Sequence, residues 1–290
     1  MAASTVFGMS EQANAGLRGL RDPLVIAAFS GWSDAGNAAS AAVEHLAESC
    51  QAELAIELDP DDFYDYQVNR PEVSIDAETG DREITWPTTR IRTGELPDGR
   101  DLILVEGIEP NLRWRQFGGL ITSALRSANP SRVFILGALL ADTPHTRPVP
   151  VTCTTRDADL MELYGIAESS YEGPTGITGV MADLLARAGM PTISVWAAIP
   201  HYVSHPPCPK ATLAILSQLE RLMDVPLDFG ELPELARAWE RGVNELAAED
   251  SEVAEYVSQL EEQTDAADLP EASGDAIAAE FERYLKRRQQ

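Results

Sequence analysis

The sequence has few cysteines, few basic side chains and no long apolar run, and each shortage excludes a class of protein. Its 3 cysteines lie far apart, at positions 50, 153 and 208, and form no CxxC pair. A sparse and odd set argues against a disulfide framework and against a zinc site. No apolar run approaches the ~20 residues that a membrane span needs, and residues 1–22 lack the pattern of a signal peptide. We therefore expect a cytoplasmic protein without membrane contact.

The shortage of basic side chains makes the chain strongly acidic. Its 290 residues include 22 Lys and Arg against 47 Asp and Glu, a formal net charge of −25. Such a chain repels phosphate backbones, so we expect no nucleic-acid partner. The surplus is concentrated in residues 231–290, which hold 16 acidic and 6 basic side chains. This charge suits solubility or a basic protein partner.

Apolar runs alternate with helical patterns along most of the chain. Several runs are continuous, as in Leu102-Ile-Leu-Val-Glu-Gly-Ile108, which is typical of strands covered on both faces. This alternation predicts βαβ units and a largely parallel sheet. The segment 83–93 alternates and contains a proline, so we assign it to a hairpin or an edge strand. The other predicted strands are 24–29, 53–58, 101–107, 132–139, 151–155 and 192–199, and the predicted helices are 35–48, 112–128, 175–188 and 209–223.

The pattern changes after residue 225, where strands give way to three predicted helices, at 231–247, 251–263 and 274–288. We therefore predict an N-terminal extension over 1–22 and an α/β core domain over 23–225. An acidic helical region over 226–290 would pack on the core or on a neighbouring subunit. Its second helix must pack on something, because one face carries four apolar side chains at helical spacing, namely Val253, Tyr256, Val257 and Leu260.

The first candidate site follows the first strand, in Ser30-Gly-Trp-Ser-Asp-Ala-Gly-Asn37. Ser33 or Asp34 can cap the next helix. Free N–H groups at that helix start, beside Asn37, could instead hold an anion or a carbonyl. Trp32 is an aromatic in a tight turn, as in packing or interface anchors. The stretch lacks the spacing of a phosphate loop, a dinucleotide fingerprint or a hydrolase elbow.

Other strand ends supply further polar side chains. Glu109 and Arg113 stand four apart, which predicts a helical ion pair or an arginine presented to an anion or a partner carboxylate. A loop stiffened by three prolines carries Asp142, His145 and Arg147, which could form a general base with its orienting carboxylate or could simply be rigid architecture.

A Gly-rich helix start could present Thr175 and backbone N–H groups to a ligand, or could serve close helix–sheet packing. Four Asp in residues 58–66 do not have the spacing of an EF-hand, and we expect no metal, no cofactor and no catalytic residue. The full set of ligand- or partner-binding candidates is Trp32, Ser33, Asp34, Asn37, Glu109, Arg113, Asp142, His145, Arg147 and Thr175.

These stretches, in this order, resemble the proteasome assembly chaperone 2 family, and more specifically its actinobacterial branch. The matching segments run from Leu24 to Leu285 and read FSGWSDAGNAAS, ELDPDDFYDYQVNRP, GIEPNLRWRQF, LGALLADTPHTRPVPV, YEGPTGITGV, SVWAAIPHYV and LPEASGDAIAAEFERYL. The resemblance implies a three-layer α/β/α fold similar to purine nucleoside phosphorylases, with a helical C-terminal extension. It also implies self-association, as a trimer, and it implies no reaction.

Two functions stay open at this point. The first is a non-catalytic, oligomeric interaction protein with proteasome α-subunits or another protein as partner. The eukaryotic relatives dock in part through a hydrophobic–Tyr–any-residue tail, whereas this chain reads Tyr284-Leu-Lys-Arg-Arg-Gln-Gln290. The resemblance therefore does not imply tail insertion. The second is a small-molecule binder or enzyme, nucleoside phosphorylase- or hydrolase-like, with its site at the carboxyl ends of the strands. We favour the first because the loops lack a coherent catalytic set.

Overall fold

The computed structural model of the protein describes residues 16–76 and 79–268. The strands are β1 (Leu24–Ser30), β2 (Glu53–Glu57), β3 (Glu72–Ile75), β4 (Arg82–Thr85), β5 (Thr89–Glu95), β6 (Asp101–Ile108), β7 (Arg132–Ala141), β8 (Val151–Thr155) and β9 (Thr192–Pro200). The helices are α1 (Ala38–Ser49), α2 (Trp114–Ala128), α3 (Ala158–Tyr164), α4 (Ile177–Arg187), α5 (Pro209–Met223), α6 (Leu232–Glu249) and α7 (Ser251–Asp268), with single 3-10 turns at Ala35–Asn37 and His201–Val203.

Seven strands form one mixed sheet in the order β2-β5-β6-β1-β7-β9-β8. The four central strands, β6, β1, β7 and β9, run parallel. The strands toward the edges are antiparallel, with β5 and β2 at one end and β8 at the other. Strands β3 and β4 form a separate two-stranded ribbon. The predicted strands and helices of the α/β part are confirmed, with ends shifted by at most two or three residues.

The sheet is buried on both faces, which explains its continuous apolar runs. Side chains alternate between the two faces of a strand, so Leu24 and Ile26 join one core with helices α1 and α5. Val25 and Ala27 join a second core with helices α2 and α4. The resulting three layers confirm the predicted α/β/α fold.

The pattern of residues 83–93 predicts a hairpin or an edge strand, and the structure divides this segment. Residues 82–85 belong to the ribbon, whereas β5 lies inside the sheet between β2 and β6. Pro87 falls between the two strands, where no ladder hydrogen bond is needed. The edge position belongs to β2. Ribbon strand β3 and the short helix α3 were not predicted, because both are short and carry weak periodicity.

Helix α6 packs against α5, and α7 packs against α6. The predicted apolar face of α7 is confirmed, since Val257 and Leu260 are buried. The predicted helix at 274–288 lies outside the described residues, and the domain boundary at residue 225 stays a prediction. Within 16–76 and 79–268, no helix combines the length and apolar character needed to cross a membrane.

Alanine substitutions at two glycines, one buried in the sheet and one exposed on a helix, test how tightly the sheet is packed. A Cβ on buried Gly137 of β7 would lie 2.7 Å from the ring of Trp196 on β9, whereas a Cβ on exposed Gly119 of α2 would meet open space. We expect Gly137→Ala to lower the free energy of unfolding by about 1–3 kcal/mol through overpacking. Gly119→Ala should raise it by about 0.5–1 kcal/mol through helix propensity. Urea denaturation of both variants measures the difference, and equal effects would contradict the packing.

Candidate functional site

A cleft of about 940 Å³ lies between helix α4 and one face of β9 and β8, and it extends to the carboxyl ends of β1 and β7. Helix α4 packs over β7 and β9, and β8 extends beyond it. The floor is formed by Thr152 and Thr154 of β8 and by Ser194 and Trp196 of β9. We call this feature the strand-end cleft.

The rim of the strand-end cleft is apolar and exposed. Trp32, in the turn after β1, is 65% exposed, and Tyr171, before α4, is 66% exposed. Leu139 and Leu140 at the end of β7 are nearly half exposed. The charged residues of the cleft are Arg156, which pairs with Glu168 at 2.9 Å and with Asp183 at 2.7 Å, and those two partners. The cleft therefore presents hydrophobic and hydroxyl groups with one compensated cluster of charges.

The turn after β1 is held by Asp34, which is buried. Its carboxylate accepts hydrogen bonds from the backbone N–H of Ala39 at 2.8 Å and of Ser40 at 3.3 Å, and from the Ser40 hydroxyl at 2.5 Å. Asp34 thus caps helix α1, as predicted, but from five and six residues away because a 3-10 turn intervenes. Burial raises the pKa of this carboxyl, and the three hydrogen bonds oppose that shift.

The side chains of Ser33 and Asn37, in the same turn, form no hydrogen bond within the described structure. Ser33 is buried, and its hydroxyl oxygen has no hydrogen-bond partner among the described residues. A Cβ on Gly176 would lie 2.5 Å from that oxygen, so the hydroxyl is packed against the start of α4. Asn37 is exposed at the N-cap of α1 in the left-handed conformation, with φ 52°. Only Trp32 of this stretch projects a large side chain outward.

Glu109 closes the N-terminus of α4 from the neighbouring strand β6. Its Oε1 accepts a hydrogen bond from the backbone N–H of Ile177 at 2.7 Å. Arg113 pairs with Asp62 instead, so the predicted Glu109–Arg113 ion pair is wrong. Arg113 is the left-handed N-cap of α2, with φ 53°, so the two residues do not share the helical spacing that the pair requires. Thr175 is exposed beside this closure.

The loop after β7 binds the C-terminal helices. Arg147 makes a bidentate pair with Asp265 of α7, with both N–O distances at 2.7 Å. Asp142 accepts a hydrogen bond from the Tyr256 hydroxyl of α7 at 3.1 Å. Its other partner is His201, with Nδ1 at 3.1 Å from the same carboxylate oxygen. These contacts make the loop a support for α6 and α7.

His145, in the middle of this loop, is 2% exposed. Its Nδ1 lies 2.8 Å from the Tyr202 hydroxyl, and its Nε2 lies 3.1 Å from Oδ1 of Asn244 on α6. Oδ1 of Asn244 can only accept a hydrogen bond, so Nε2 of His145 carries the proton. Nδ1 of His145 then accepts a hydrogen bond from the Tyr202 hydroxyl. The hypothesis of a general base oriented by Asp142 is therefore wrong, because the two side chains bind different partners. Burial lowers the pKa of His145, and the nearby Lys210 charge adds to this.

An aromatic cluster surrounds this histidine. The rings of His145, His201, Tyr202 and Tyr256 contact one another edge to face, with centroids 5.5–6.0 Å apart. No local pattern predicts Tyr202 or Asn244 as partners of this loop, because both lie far from it in sequence. The helical spacing predicts Tyr256 on the packed face of α7 but not its contact with Asp142. Sequence reasoning also misses the cleft residues Leu139, Leu140, Tyr171 and Trp196.

The carboxylates of Asp61, Asp62 and Asp65 in the acidic stretch 58–66 are bonded to protein groups. The Tyr66 hydroxyl donates to Asp61 at 2.6 Å, and Asp62 pairs with Arg113. The Asp65 carboxylate accepts from the backbone N–H of Gln67 at 2.8 Å. Across the part of the chain that the structure describes, His, Cys, Asp and Glu form no group of three that could hold a metal ion.

The fold and the site define a class of α/β/α protein. At the carboxyl edge of its sheet, carboxylates of the same chain bind the helix N-termini, and the cleft beside them has an apolar rim. Residues 28–247 match the sequence model of the PAC2 family, and the chain belongs to that family. This confirms the predicted family resemblance. The comparison with curated protein sequences found no match.

Solved structures agree with this assignment. A PAC2 family protein from Streptomyces avermitilis is 54% identical, with a TM-score of 0.77 over 81% of this chain and 100% of that one. A proteasome-assembly chaperone homologue from Mycobacterium tuberculosis is 50% identical, with a TM-score of 0.73 over 81% of this chain and 99% of that one. An archaeal proteasome activator from Pyrococcus furiosus, at 19% identity and TM-score 0.64 over 79% and 94%, shares the fold.

The neutral, buried His145 makes stability depend on pH. In the unfolded chain its imidazole takes up a proton near the ordinary pKa of 6.5, whereas in the folded protein it does so only at lower pH. The free energy of unfolding should therefore be unaffected by this group above pH 6.5 and should fall as the pH drops below it. Chemical denaturation across this range measures the slope.

Two variants isolate the histidine responsible. His145→Gln keeps a donor for Asn244 and an acceptor for Tyr202 without a titrating ring, so it should flatten the acid slope. His205→Gln, at an exposed position, should show the same dependence of unfolding free energy on pH as the unmodified protein. An unchanged slope in His145→Gln would refute the assignment.

Proposed function

We propose that this protein is a non-catalytic, oligomeric interaction protein of the proteasome-assembly-chaperone type. One observation carries the proposal: the strand-end cleft has an exposed apolar rim, whereas the carboxylates near it are bonded to their own chain. Trp32, Leu139, Leu140 and Tyr171 face solvent, whereas Asp34 and Glu109 are bonded to their own chain. Exposed aromatic and aliphatic side chains gathered at one place are typical of protein contacts.

The closed helix N-termini argue for binding over chemistry. A helix start is the natural site for a phosphate or another anion, because its N–H groups are free and its dipole is positive there. At α1 and α4 those groups already face Asp34 and Glu109. An incoming anion would meet a carboxylate in partly buried surroundings, where charge repulsion is poorly screened.

Family and charge suggest the partners. The Mycobacterium tuberculosis relative is described as a proteasome-assembly chaperone homologue, so we assign proteasome α-subunits as partners and the cytoplasm as the location. Copies of the chain would associate through the strand-end cleft, with a trimer as the expected form. The acidic helices α6 and α7 would dock a basic partner surface, since residues 231–268 contain 12 Asp and Glu and two Arg.

Purified proteasome α-subunits from the same organism provide the test. At low salt, we expect the protein to co-elute with them and to accelerate the formation of α-subunit rings. Native mass spectrometry measures the rate of ring formation. The variant Glu245→Gln/Glu249→Gln/Glu252→Gln removes three exposed charges of α6 and α7 and should weaken capture at least several-fold.

A matched control separates a local contact from net charge. Glu44→Gln/Glu48→Gln/Glu53→Gln removes the same number of exposed charges near α1 and β2 and should leave capture unchanged. Equal loss in both variants would mean that only net charge matters. Failure of the unmodified protein to bind α-subunits or to alter ring formation would refute the proposed role.

A second candidate function, small-molecule binding, is favoured by the size of the cleft. Its volume of about 940 Å³ falls within the range of about 300–1,000 Å³ typical of ligand sites. Nucleosides with inorganic phosphate are the probes that the fold suggests. Because the helix N-termini are closed, we expect no rise in melting temperature with either probe. A saturable rise that Trp32→Ser abolishes, while the exposed-site control Leu246→Ser retains it, would favour this second function.

A further inference from the structure

The ribbon β3–β4 has an apolar face that the described residues of the chain leave largely exposed. Val73 and Ile75 share one face, and the strand register places Ile84 opposite Val73 and Arg82 opposite Ile75. The other face is polar, with Glu72, Ser74, Glu83 and Thr85. Such alternation is typical of a sheet with one buried face. Yet Val73, Ile75, Ile84 and the following Trp86 are between 47% and 67% exposed.

The ribbon also lacks support along its edges. It forms a sheet of its own, paired with no further strand in the described ranges, and an isolated two-stranded hairpin is marginally stable in water. Trp86 packs edge to face against Tyr66, with centroids 4.8 Å apart, which anchors only the base of the ribbon. A binding partner would stabilise the rest.

The ribbon does not fill the strand-end cleft of its own chain, because none of its residues lines the cleft. It connects β2 to β5 at one end of the sheet, and the cleft lies at the β9–β8 end. Six strand spacings of about 4.8 Å separate β2 from β8, or about 29 Å. The segment leading to the ribbon is fixed, because Phe63 and Tyr64 are buried in the core. With the ribbon of the same chain in this position, a ribbon that fills the cleft comes from another copy.

We propose that the apolar face of the ribbon of one copy docks into the strand-end cleft of the next copy. This inference rests on the proposed function, because it names the protein segment that the cleft binds. The ribbon face and the rim of the cleft are both largely apolar, and both carry an exposed tryptophan, Trp86 on the ribbon and Trp32 on the rim. Tryptophan is enriched among residues that dominate binding energy at interfaces.

The charges at the two surfaces favour a second copy over a protein of the opposite net charge. The apolar face of the ribbon carries Arg82, a charge of +1. The cleft carries Arg156, Glu168 and Asp183, and Arg187 pairs with Asp183 at 2.7 Å, so the charges of this cluster cancel. Two chains of net charge −25 repel one another at long range, so a contact between them needs surfaces that are nearly neutral and complementary.

The contact is head to tail, because ribbon and cleft are different surfaces at opposite ends of the sheet. A head-to-tail contact generates a ring when the rotation between copies closes. In a closed ring every ribbon fills one cleft, so no apolar face is left exposed. The expected trimer is one such ring.

Gel filtration with light scattering tests the contact. We expect the unmodified protein to be an oligomer at tens of micromolar. Ile75→Asp/Ile84→Asp on the ribbon and Trp32→Ser/Leu140→Asp on the cleft rim should each give a folded monomer of 31.5 kDa. The control Leu235→Asp/Leu246→Asp changes two equally exposed leucines of α6 and should stay oligomeric. A monomeric unmodified protein, or a ribbon variant that stays oligomeric, would overturn the proposal.

Mixing the two defective variants tests the head-to-tail geometry. The ribbon variant retains an intact cleft, and the cleft variant retains an intact ribbon. An equimolar mixture should form a heterodimer of twice 31.5 kDa, although neither variant associates alone. A mixture that remains monomeric would overturn the assignment of ribbon to cleft.

Disulfide trapping gives a second readout that does not depend on disrupting the contact. With Ile84→Cys and Leu140→Cys in one chain, mild oxidation should link successive copies, whereas Leu246→Cys replacing Leu140→Cys should not. Absence of the first link would overturn the proposal. An oligomer that fails to capture proteasome subunits would refute the chaperone role and leave this inference standing. A monomer that captures them would refute this inference and the proposed self-association, and would leave the chaperone role standing.

Discussion

Two carboxylates determine the character of the carboxyl edge of the sheet. Asp34 binds the start of α1 on one face of the sheet, and Glu109 binds the start of α4 on the other. Each satisfies N–H groups that a helix start would otherwise leave open. Together they tie the turn after β1 and the end of β6 to both helical layers. The edge is therefore rigid, and its positive helix ends are neutralised from within the chain.

The open cleft follows from the connection between β7 and β8. A parallel strand would need a crossover helix to return to the sheet. Here a proline-rich loop of 142–150 leads directly into an antiparallel β8, so no crossover helix is formed at this point. Helix α4 packs over β7 and β9 and leaves the β8 end uncovered. The loop that replaces the crossover instead binds α6 and α7, through His145 and Arg147.

The sequence predicts the strands and helices of this fold better than the tertiary contacts between them. Continuous runs such as β6 and β7 identify central strands, because burial on both faces leaves a plain apolar signal. Asp34 is recognisable as a cap, and the family resemblance rests on residues quoted from the chain. The partners of His145 lie 57 and 99 residues away, and no local pattern marks such pairs. The order of the sheet, which alone separates ribbon from cleft, is likewise a property of the folded chain.

The acidic helices and the cleft share one support. Leu139 and Leu140 of the rim lead into the loop that holds His145 and Arg147. Lys210 of α5 further binds the His145 carbonyl oxygen and Glu240 of α6, each at 2.5 Å. Energetic coupling between two surfaces requires an element with two arrangements. Buried His145 is hydrogen-bonded at both ring nitrogens, and Arg147 is bonded to two carboxylates. These contacts hold the loop in a single arrangement. The loop therefore fixes the position of the acidic helices relative to the cleft.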